Sequence, residues 1–343
     1  MRILLGMSGG VDSTYAAHLL SQEGYDVEGA VLVMSEHTDT GAALRSCEEL
    51  GIKLNIIDAR AEFEKYVVDN FVSEYIKART PNPCVMCNRY VKIKMLCDYA
   101  KANGFDKVAT GHYCNIYKNE ENSRCCVQMG ADIRKDQSYM LWQLTQDELS
   151  MLITPLSAKT KAEIYEGAKE MGFASADSKE SQEICFIPDN DYASFIEKRK
   201  GKFPQGDFID NEGNIVGRHK GIIHYTIGQR KGLGLAMKVP VFVTEIDPCA
   251  NTVKVAPAGN EMRKSFAADR LNFQMTEEPD EGETREGDFL VKIRYAAKPA
   301  KAHVVYTNKK ARVFFEEEQR AVTPGQSSVF YVEDKVAFGG FIC

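Results

Sequence analysis

One segment of the sequence has the residue types and spacing of a phosphate-binding loop. Residues 6–13 are Gly-Met-Ser-Gly-Gly-Val-Asp-Ser, between an apolar run at residues 3–5 and a helical pattern. Glycines let backbone N–H groups approach an anion closely, and the first turn of a helix adds partial positive charge. Ser8 and Ser13 supply hydroxyl donors, and Asp12 supplies the oxygen ligands that Mg²⁺ prefers. The loop is therefore predicted to hold phosphate groups together with a magnesium ion, although an ordinary glycine-rich turn is the alternative.

Three cysteines form the second group of candidate residues. Cys84 and Cys87 are separated by two residues in a proline-rich turn, and a helix is predicted to begin near Cys87. A thiol at a helix N-terminus has a lowered pKa and is more reactive. The same spacing also fits a structural zinc site or a disulfide clip, and the pair alone does not decide between them. Cys185, within residues 181–187, is by itself typical of a buried core thiol.

Composition narrows the class of protein. The chain has 343 residues, of which 44% are hydrophobic and 27% charged, so a globular protein of two or three domains is expected. No apolar run approaches the roughly 20 residues that a membrane-spanning helix needs, and the N-terminal apolar run is predicted to be a buried strand rather than a signal peptide. Ten cysteines in so long a chain predict reduced thiols and a cytoplasmic location without a membrane partner. The net charge of −6 argues against a uniformly basic surface but leaves room for a local basic patch.

The elements that must position these residues alternate between strands and helices. Apolar runs predict strands at residues 3–5, 27–34, 53–58 and 107–111, separated by helices at 12–23, 41–50, 61–77 and 91–103. Such alternation is typical of a doubly wound parallel sheet, in which ligands bind at the carboxyl ends of the strands. The phosphate loop and residues 110–112 (Thr-Gly-His) both fall at such ends.

The pattern changes near residue 200. A charged break at residues 198–202 is followed by short β-like runs, and from about residue 242 onward the strands are regularly spaced, as in a small barrel. The predicted fold class is therefore α/β with a doubly wound parallel sheet, followed by a small central domain and a C-terminal β-barrel. The predicted boundaries are 1–199, 200–245 and 246–343.

Residues 6–13 lack the Gly-Lys-Ser/Thr ending of a Walker loop and resemble the PP-loop of the ATP pyrophosphatases, which release AMP and pyrophosphate. Six further strings occur in order along the chain: residues 79–88, 109–113 (Ala-Thr-Gly-His-Tyr), 135–139 (Lys-Asp-Gln-Ser-Tyr), 181–187, 224–234 and 322–330. Together with the loop, they resemble the bacterial tRNA-specific 2-thiouridylase family over essentially the whole chain.

The resemblance implies an activity. Members of this family use ATP to adenylate the C2 oxygen of the wobble uridine in the tRNAs for Lys, Glu and Gln, and a persulfide sulfur then displaces AMP. By motif position, Cys185 would carry the persulfide, and Cys87 would free the sulfur, leaving a Cys87–Cys185 disulfide. The partners implied are tRNA, bound partly by the central domain and the barrel, and a sulfur donor, either a persulfide-carrying protein or sulfide.

The resemblance also assigns binding residues. The ATP site would consist of Gly6, Met7, Ser8, Gly9, Gly10, Val11, Asp12, Ser13, Leu32 and Gly111. The target base would contact Asn82, Pro83 and Cys84. The tRNA would contact His112, Lys135, Asp136, Gln137, Arg294, Tyr295 and Gln326. Met34 is an alternative to Leu32, and each tRNA contact has a structural alternative, such as a polar turn or a strand edge.

One departure from the family leaves the sulfur carrier open. Where better-known members have an aspartate, this chain has Cys84, so Cys84, Cys87 and Cys185 could hold a [4Fe–4S] cluster with one open iron. Zinc is the other option, but three thiolates underfill a structural zinc site. Two other functions stay open as alternatives: a different PP-loop ligase that forms AMP, and an RNA-binding protein without catalysis.

Overall fold

The computed structural model describes residues 1–177 and 184–343, and its first domain contains an open parallel sheet. The strands of this sheet lie in the order β3-β2-β1-β4-β7, and every neighbouring pair is parallel. In chain order the elements of the domain are β1 (Arg2–Gly6), α1 (Val11–Gln22), β2 (Asp26–Val33), α2 (Thr40–Leu50), β3 (Leu54–Asp58), α3 (Arg60–Phe63), α4 (Asp69–Ile76), α5 (Pro83–Cys87), α6 (Ile93–Ala102), β4 (Lys107–Ala109), β5 (Cys114–Lys118), β6 (Cys125–Met129), α7 (Gln146–Met151), β7 (Leu152–Ile153), α8 (Lys161–Glu170) and α9 (Tyr192–Lys200).

Both faces of the sheet are covered, which explains the continuous apolar runs of the sequence. Ile3, Leu4 and Leu5 are fully buried, but Leu4 belongs to one hydrophobic cluster and its two neighbours to another. Successive side chains of a strand point to opposite faces, so the two clusters lie on opposite sides of β1. The expected doubly wound parallel sheet is confirmed.

Two helical segments contain π-helical turns. The predicted helix at residues 61–77 consists of α3, a π-helical turn at Glu64–Val68, and α4. A second turn, Asn88–Lys92, connects α5 to α6. In a π-helix the hydrogen bonds join residues five apart, so it changes which side chains share a face, and such turns are frequent at functional sites.

The central domain is built on a four-stranded sheet in the order β10-β11-β8-β9, with β8 (Gly206–Ile209), β9 (Ile215–His219), β10 (Val241–Asp247) and β11 (Thr252–Pro257). The sequence-based boundary at 245/246 falls inside β10. Because β10 pairs with β11, and β11 with β8, residues 246–257 lie in the central sheet and not in the barrel.

The C-terminal domain is a closed barrel of six antiparallel strands: β12 (Met262–Phe273), β13 (Arg285–Lys292), β14 (Ala300–Tyr306), β15 (Lys310–Arg320), β16 (Ser327–Val332) and β17 (Lys335–Ile342). It closes because β12 pairs with both β15 and β17. The predicted C-terminal barrel is thus confirmed.

The barrel is joined to the first domain through a polar and aromatic interface. Trp142 is fully buried, and its indole Nε1 donates to Ser327 Oγ at 2.9 Å. The Tyr139 hydroxyl donates to the Ser327 carbonyl at 2.9 Å, and a Cβ at Gly339 would come within 2.5 Å of the Trp142 ring. This close fit fixes the barrel against the strand-and-helix domain.

Across residues 1–177 and 184–343, no helix has both the length and the apolar character needed to span a membrane.

Candidate nucleotide and thiol site

The glycine loop connects β1 to α1 at the carboxyl edge of the sheet. Gly9 has φ +78°, and a Cβ there would lie 2.3 Å from the backbone carbon of Ala42. Only glycine fits this contact, since other residues would be strained at that φ and would also collide with α2. The loop is therefore held directly against the start of α2.

Hydroxyl groups order the loop from within. Ser8 N donates to Ser13 Oγ at 3.2 Å, and Ser13 Oγ donates to the Gly10 carbonyl at 3.0 Å. Gly10 is the N-cap of α1 and has no side-chain acceptor, so the first amides of the helix are not capped by it. Such amides, with the positive end of the helix dipole, form a site for an anion.

A cavity of about 330 Å³ opens above this loop. This volume lies within the range of small-molecule sites. From the loop, its walls include Gly6, Met7, Ser8, Asp12 and Ser13, whereas the predicted residues Gly9, Gly10 and Val11 are not part of the lining. Leu32 and Met34 contribute from the β2 side, and Gly111 and His112 from the segment after β4. Both sequence candidates at the end of β2 thus line the cavity, and the predicted nucleotide residue Gly111 lies opposite them.

The carboxylate of Asp12 is already engaged in the described structure. Lys161 Nζ, at the start of α8, donates to its two oxygens at 2.7 and 2.8 Å, and the Tyr113 hydroxyl donates to Oδ1. A magnesium ion would have to share these oxygens with the Lys161 ammonium or displace it. This arrangement does not present the free carboxylate that the sequence analysis assumed for Mg²⁺.

His112, predicted as a tRNA contact, lines the cavity instead of an outer surface. Its Nδ1 and Thr110 Oγ1 form a hydrogen bond of 2.8 Å. Burial, assisted by the charge of Lys92, lowers the pKa of His112 to about 3. The imidazole is therefore neutral near pH 7 and can act as a hydrogen-bonding group beside the nucleotide loop.

The helix that carries the Cys-x-x-Cys pair begins earlier than predicted. It starts at Pro83, and Asn82 Oδ1 caps it by accepting from Cys84 N at 3.1 Å and from Val85 N at 3.4 Å. Cys84 therefore lies in the first turn, whereas Cys87 is the last residue of α5. The prediction that Cys87 occupies a helix N-terminus was wrong.

Cys87 also lacks the lowered pKa that such a position would give. Its side chain is buried, and burial raises the pKa of its thiol to about 11, although Lys92 acts in the opposite direction. The sulfur lies 3.9 Å from Met34 Sδ, and Met34 lines the nucleotide cavity. Cys87 thus sits directly behind one wall of that cavity.

Cys84 and Cys185 are exposed free thiols, as opposed to the core thiol that Cys185 alone suggested. Phe186, next to Cys185, packs edge-on against Phe63 and Phe71 at ring distances of 5.6 and 5.4 Å. This packing fixes the chain after residue 184 on the helices beside α5. Residues 181–183 of the Cys185 motif lie outside the described residues.

Among residues 1–177 and 184–343, no group of three or more His, Cys, Asp or Glu side chains converges in a way that could hold a metal ion. The three cysteines are near one another without forming a ligand cradle. Their arrangement in this structure does not fit a [4Fe–4S] cluster.

Two of the tRNA candidates in the loop after β6 have internal partners. Asp136 is 4% exposed, and its carboxylate accepts from Gly130 N and Ser138 N, both at 3.2 Å. Gln137 Oε1 accepts from Tyr113 N at 3.1 Å, and Gln137 lines the nucleotide cavity. Lys135, the third, is partly buried and has a partner. In this structure, Asp136 and Gln137 shape the loop from inside.

The barrel candidates lie where the barrel meets the first domain. Gln326 Nε2 donates to the Thr80 carbonyl at 3.0 Å, and Thr80 N donates to the Pro324 carbonyl at 2.8 Å. Arg294 Nη1 donates to the Arg320 carbonyl at 3.1 Å, and the Tyr295 ring lies 6.4 Å from that of Tyr139. Gln326 therefore supports the backbone just before Asn82, so the barrel helps to place the helix that carries Cys84 and Cys87.

Sequence reasoning missed two cations of this site. Lys161 pairs with Asp12 from 149 residues further along the chain, and no local pattern signals such a contact. Lys92 lines the nucleotide cavity. It follows Cys87 by five residues, which is about 140° around an ordinary α-helix, so only knowledge of the π-helical turn would have placed the two side by side.

An open parallel sheet, with a glycine loop at the start of α1 and a cavity over its carboxyl edge, defines a nucleotide-binding α/β domain. Sequence-family models agree and divide the chain into three parts. A tRNA methyl transferase HUP domain matches residues 1–189, a tRNA methyl transferase PRC-barrel domain matches 193–257, and an aminomethyltransferase beta-barrel domain matches 263–342.

Full-length relatives identify the family. A tRNA-specific 2-thiouridylase MnmA of Clostridium perfringens is 44% identical over 360 residues, covering 99% of this chain and 98% of the relative. The MnmA of Clostridium beijerinckii is 42% identical over 357 residues with the same coverage. The chain therefore belongs to the MnmA family of tRNA-specific 2-thiouridylases. A solved 4-thiouridine synthetase–RNA complex with bound ATP is a distant likeness, at 20% identity and a TM-score of 0.38, covering 58% of this chain and 50% of its own.

Proposed function

We propose that this chain is an ATP-dependent tRNA 2-thiouridylase that adenylates the C2 oxygen of the wobble uridine and replaces that oxygen with sulfur. The observation that carries the proposal is the shared wall between the nucleotide cavity and the buried thiol. Met34 lines the cavity, and its sulfur is 3.9 Å from Cys87 Sγ. The close relatives named as 2-thiouridylases support the same reaction.

The first half of the reaction uses the loop. ATP would enter as its magnesium complex, with its β- and γ-phosphates at the amides of residues 9–13. The uridine O2 attacks the α-phosphorus, pyrophosphate leaves, and N3 of the base loses its proton. A carbonyl oxygen is a poor leaving group, and the adenylate makes it a good one. The neutral His112 lies in the same cavity, where it can hydrogen-bond without adding charge.

The second half uses the thiols. The terminal sulfur of a Cys185 persulfide bonds to C2, and AMP leaves with the former O2. The Cys87 thiol then gives up its proton and attacks Cys185 Sγ, so the bond between that sulfur and the transferred sulfur breaks. The sulfur stays on C2, N3 regains a proton, and a Cys87–Cys185 disulfide remains. An external dithiol reductant, supplying two electrons, returns both thiols to the free state.

The choice of Cys185 and Cys87 has a physical basis beyond their motif positions. Cys185 is exposed, so a persulfide-carrying donor protein can reach it and pass on its outer sulfur, whereas Cys87 is buried behind the cavity wall. With Cys185 exposed to accept the sulfur and Cys87 buried to release it, the activated base would react away from thiols in solution. We propose the persulfide route because the described thiols do not form a cluster cradle.

Cys84 provides the test of that choice. In the persulfide route Cys84 has no redox role, and serine keeps a side chain of similar size where Cys84 would face the base. Cys84→Ser protein should therefore retain thiolation within about threefold of the unaltered protein. Because Cys84 is exposed, the substitution should leave folding unchanged. The contrary result is that the variant loses activity and that anaerobically prepared unaltered protein contains bound iron and sulfide. In that case the sulfur carrier would be a cluster-bound sulfide and not a persulfide.

The tRNA would lie across the first domain and the barrel. We propose that Asn82, Pro83 and Cys84 face the extruded base, since they begin the helix whose last residue, Cys87, contacts the cavity-lining Met34. Lys135, Arg294 and Tyr295 would contact the RNA directly. Asp136, Gln137 and Gln326 would act through the segments that they hold in place.

The function is tested with the full chain, ATP, Mg²⁺, a dithiol reductant, and tRNA transcribed without modifications. Sulfide and a persulfide donor are supplied separately, and 2-thiouridine is measured by mass spectrometry of the digested tRNA. Cys87→Ser should abolish turnover. Cys97→Ser is the matched control, because Cys97 is also a buried thiol of raised pKa but lies on α6 outside the cavity.

Two outcomes would contradict the proposal. Absence of 2-thiouridine with both donors, under aerobic and anaerobic conditions, would refute it. AMP release that persists at full rate in Cys87→Ser and Cys185→Ser proteins without tRNA would instead favour a PP-loop ligase acting on a small molecule.

A further inference from the structure

Lys92 occupies the junction between the nucleotide cavity and the thiols. It is the last residue of the π-helical turn Asn88–Lys92, and it lines the cavity together with the loop and His112. Because hydrogen bonds in a π-helix join residues five apart, this turn brings Lys92 above Cys87. The charge of Lys92 acts on the buried Cys87 thiol and works to lower its pKa, against the larger effect of burial.

The charges around Lys92 are unusual for a partly buried ammonium. Among the described residues, no carboxylate forms an ion pair with it. The titratable groups that face it are the thiols of Cys87, Cys84 and Cys185, and the neutral imidazole of His112. A cation withdrawn from water is costly without an anionic partner. The groups able to supply negative charge at this point are therefore the sulfurs and an anion in the cavity.

The position keeps the ammonium charged. Burial acts to lower the pKa of Lys92, but Cys87, Cys84 and Cys185 together outweigh it, and the pKa lies above its ordinary value. The surroundings of Lys92 thus favour its ammonium form.

Lys161 and Lys92 divide the positive charge of the site. Lys161 is bound to Asp12 on the phosphate side, and it is not part of the cavity wall. Lys92 is on the thiol side of the same cavity. The two cations thus flank the place where C2 of the uridine would meet both the leaving AMP and the incoming sulfur.

Resting on the proposed function, we propose that Lys92 is a catalytic residue of the sulfur-transfer step, whose ammonium stabilises the anionic sulfur as it bonds to the adenylated C2 carbon. In that step the persulfide has lost its proton, the bond from sulfur to C2 forms, and the bond from C2 to the oxygen of AMP breaks. The negative charge passes from sulfur to the departing phosphate, and Lys92 lies in the cavity wall on the side of the thiols, where the charge starts. Its role is electrostatic, and it neither gives nor takes a proton.

The test separates the two halves of the reaction. Adenylation is measured as tRNA-dependent exchange of labelled pyrophosphate into ATP, and sulfur transfer is measured as 2-thiouridine formed in a single turnover. Lys92→Met should slow sulfur transfer by about 100-fold, the size typical for loss of one charge-stabilising group, and leave adenylation within about threefold. Lys92→Arg should recover roughly tenfold of that loss, because it restores the charge at a similar reach.

Lys94→Met is the matched control. Lys94 is an exposed lysine two residues further on, paired with Asp98 at 2.7 Å. Both half-reactions should be unchanged in this variant. If Lys92→Met does not fold, as judged by its thermal transition, Lys92→Gln and Lys92→Arg are compared instead.

Each remaining outcome is informative. Equal losses in both half-reactions would overturn the proposal and assign Lys92 to the phosphates of ATP. Unchanged sulfur transfer in a folded Lys92→Met protein would overturn it in favour of a structural role. If the unaltered protein forms no 2-thiouridine while it exchanges pyrophosphate, the proposed function fails, and this result is distinct from a selective defect in the variant.

Discussion

Removing the ion pair between Lys161 and Asp12 tests whether Lys161 balances the charge of Asp12 on the phosphate side of the site. In Lys161→Met protein, Asp12 keeps the Tyr113 hydroxyl but loses both contacts to the ammonium. Exposed pairs contribute about 0–1 kcal/mol, and breaking a fully buried pair costs about 3–5 kcal/mol. Because the two side chains are 11% and 32% exposed, we expect the free energy of unfolding to fall by about 2 kcal/mol.

The effect on ATP follows from the charge that is left behind. Asp12 lines the cavity, so without Lys161 an unbalanced carboxylate faces the triphosphate. Two like charges about 4 Å apart repel by about 4 kcal/mol at the effective dielectric of a protein surface. Since Asp12 is one-third exposed, we expect about half of this, which corresponds to a roughly 30-fold higher Kd for ATP.

A double-mutant cycle isolates the interaction. The Kd for ATP is measured by calorimetry for Lys161→Met, Asp12→Asn and the double variant, with unfolding followed in urea. Asp12→Asn added to Lys161→Met should recover affinity to within about threefold of Asp12→Asn alone. Lys169→Met, on the exposed face of the same helix, should bind ATP normally. Unaltered ATP affinity in Lys161→Met, or no recovery in the double variant, would refute this electrostatic account.

Three further predictions follow from single contacts. Gly9→Ala should abolish ATP binding in calorimetry and leave the far-UV circular dichroism unchanged, because the added Cβ would lie 2.3 Å from the backbone of Ala42. Normal affinity would show that the loop is not held by α2. His112→Asn should remove part of the acid sensitivity of folding. The pKa of His112 is about 3 in the folded protein and near 6.5 in the unfolded chain, so the unfolded state takes up a proton first as the pH falls. Stability is therefore lost below pH 6.5, by about 2 kcal/mol at pH 5. Urea unfolding at pH 7.5 and 5 measures that difference, and an equal loss in both proteins would exclude His112 as its source. Gln326→Met should reduce 2-thiouridine formation, because it removes the hydrogen bond to the Thr80 carbonyl that supports α5. Pyrophosphate exchange without tRNA should stay near background, as in the unaltered protein. An unchanged thiolation rate would limit Gln326 to barrel packing.

The overall fold could be predicted from the sequence because its signals are local. The apolar run at residues 3–5 predicts a strand buried on both faces, and the structure buries those three side chains completely. The regular β-runs of the C-terminal part likewise predicted a barrel. The prediction failed for residues 246–257, because β11 pairs with β8 more than 40 residues earlier, and such pairing leaves no trace in periodicity.

The site was predictable where one motif contains all of its parts. Five residues of the glycine loop, together with Gly111, line one cavity, since the loop and Gly111 each follow directly from a strand end. The start of α5 was misplaced because Pro83 suits the first turn of a helix, and Asn82 caps it, five residues before Cys87. Cys87, which was expected to be a reactive thiol at the helix start, lies instead at the helix end and is buried. The partner of Asp12 could not be found, since it comes from a distant helix.

The position of α5 explains how tRNA binding and sulfur transfer can be linked in one chain. The backbone before Asn82 is bonded to the barrel turn by Thr80 N at 2.8 Å and by Gln326 at 3.0 Å. At its other end, α5 continues into the π-helical turn that places Lys92 in the cavity wall. A continuous helical segment therefore runs from the barrel contact, past both cysteines of the pair, to the nucleotide cavity. Under the proposed function, a shift of the barrel when RNA binds would therefore move Cys87 and the Lys92 ammonium together relative to the nucleotide loop and to Cys185.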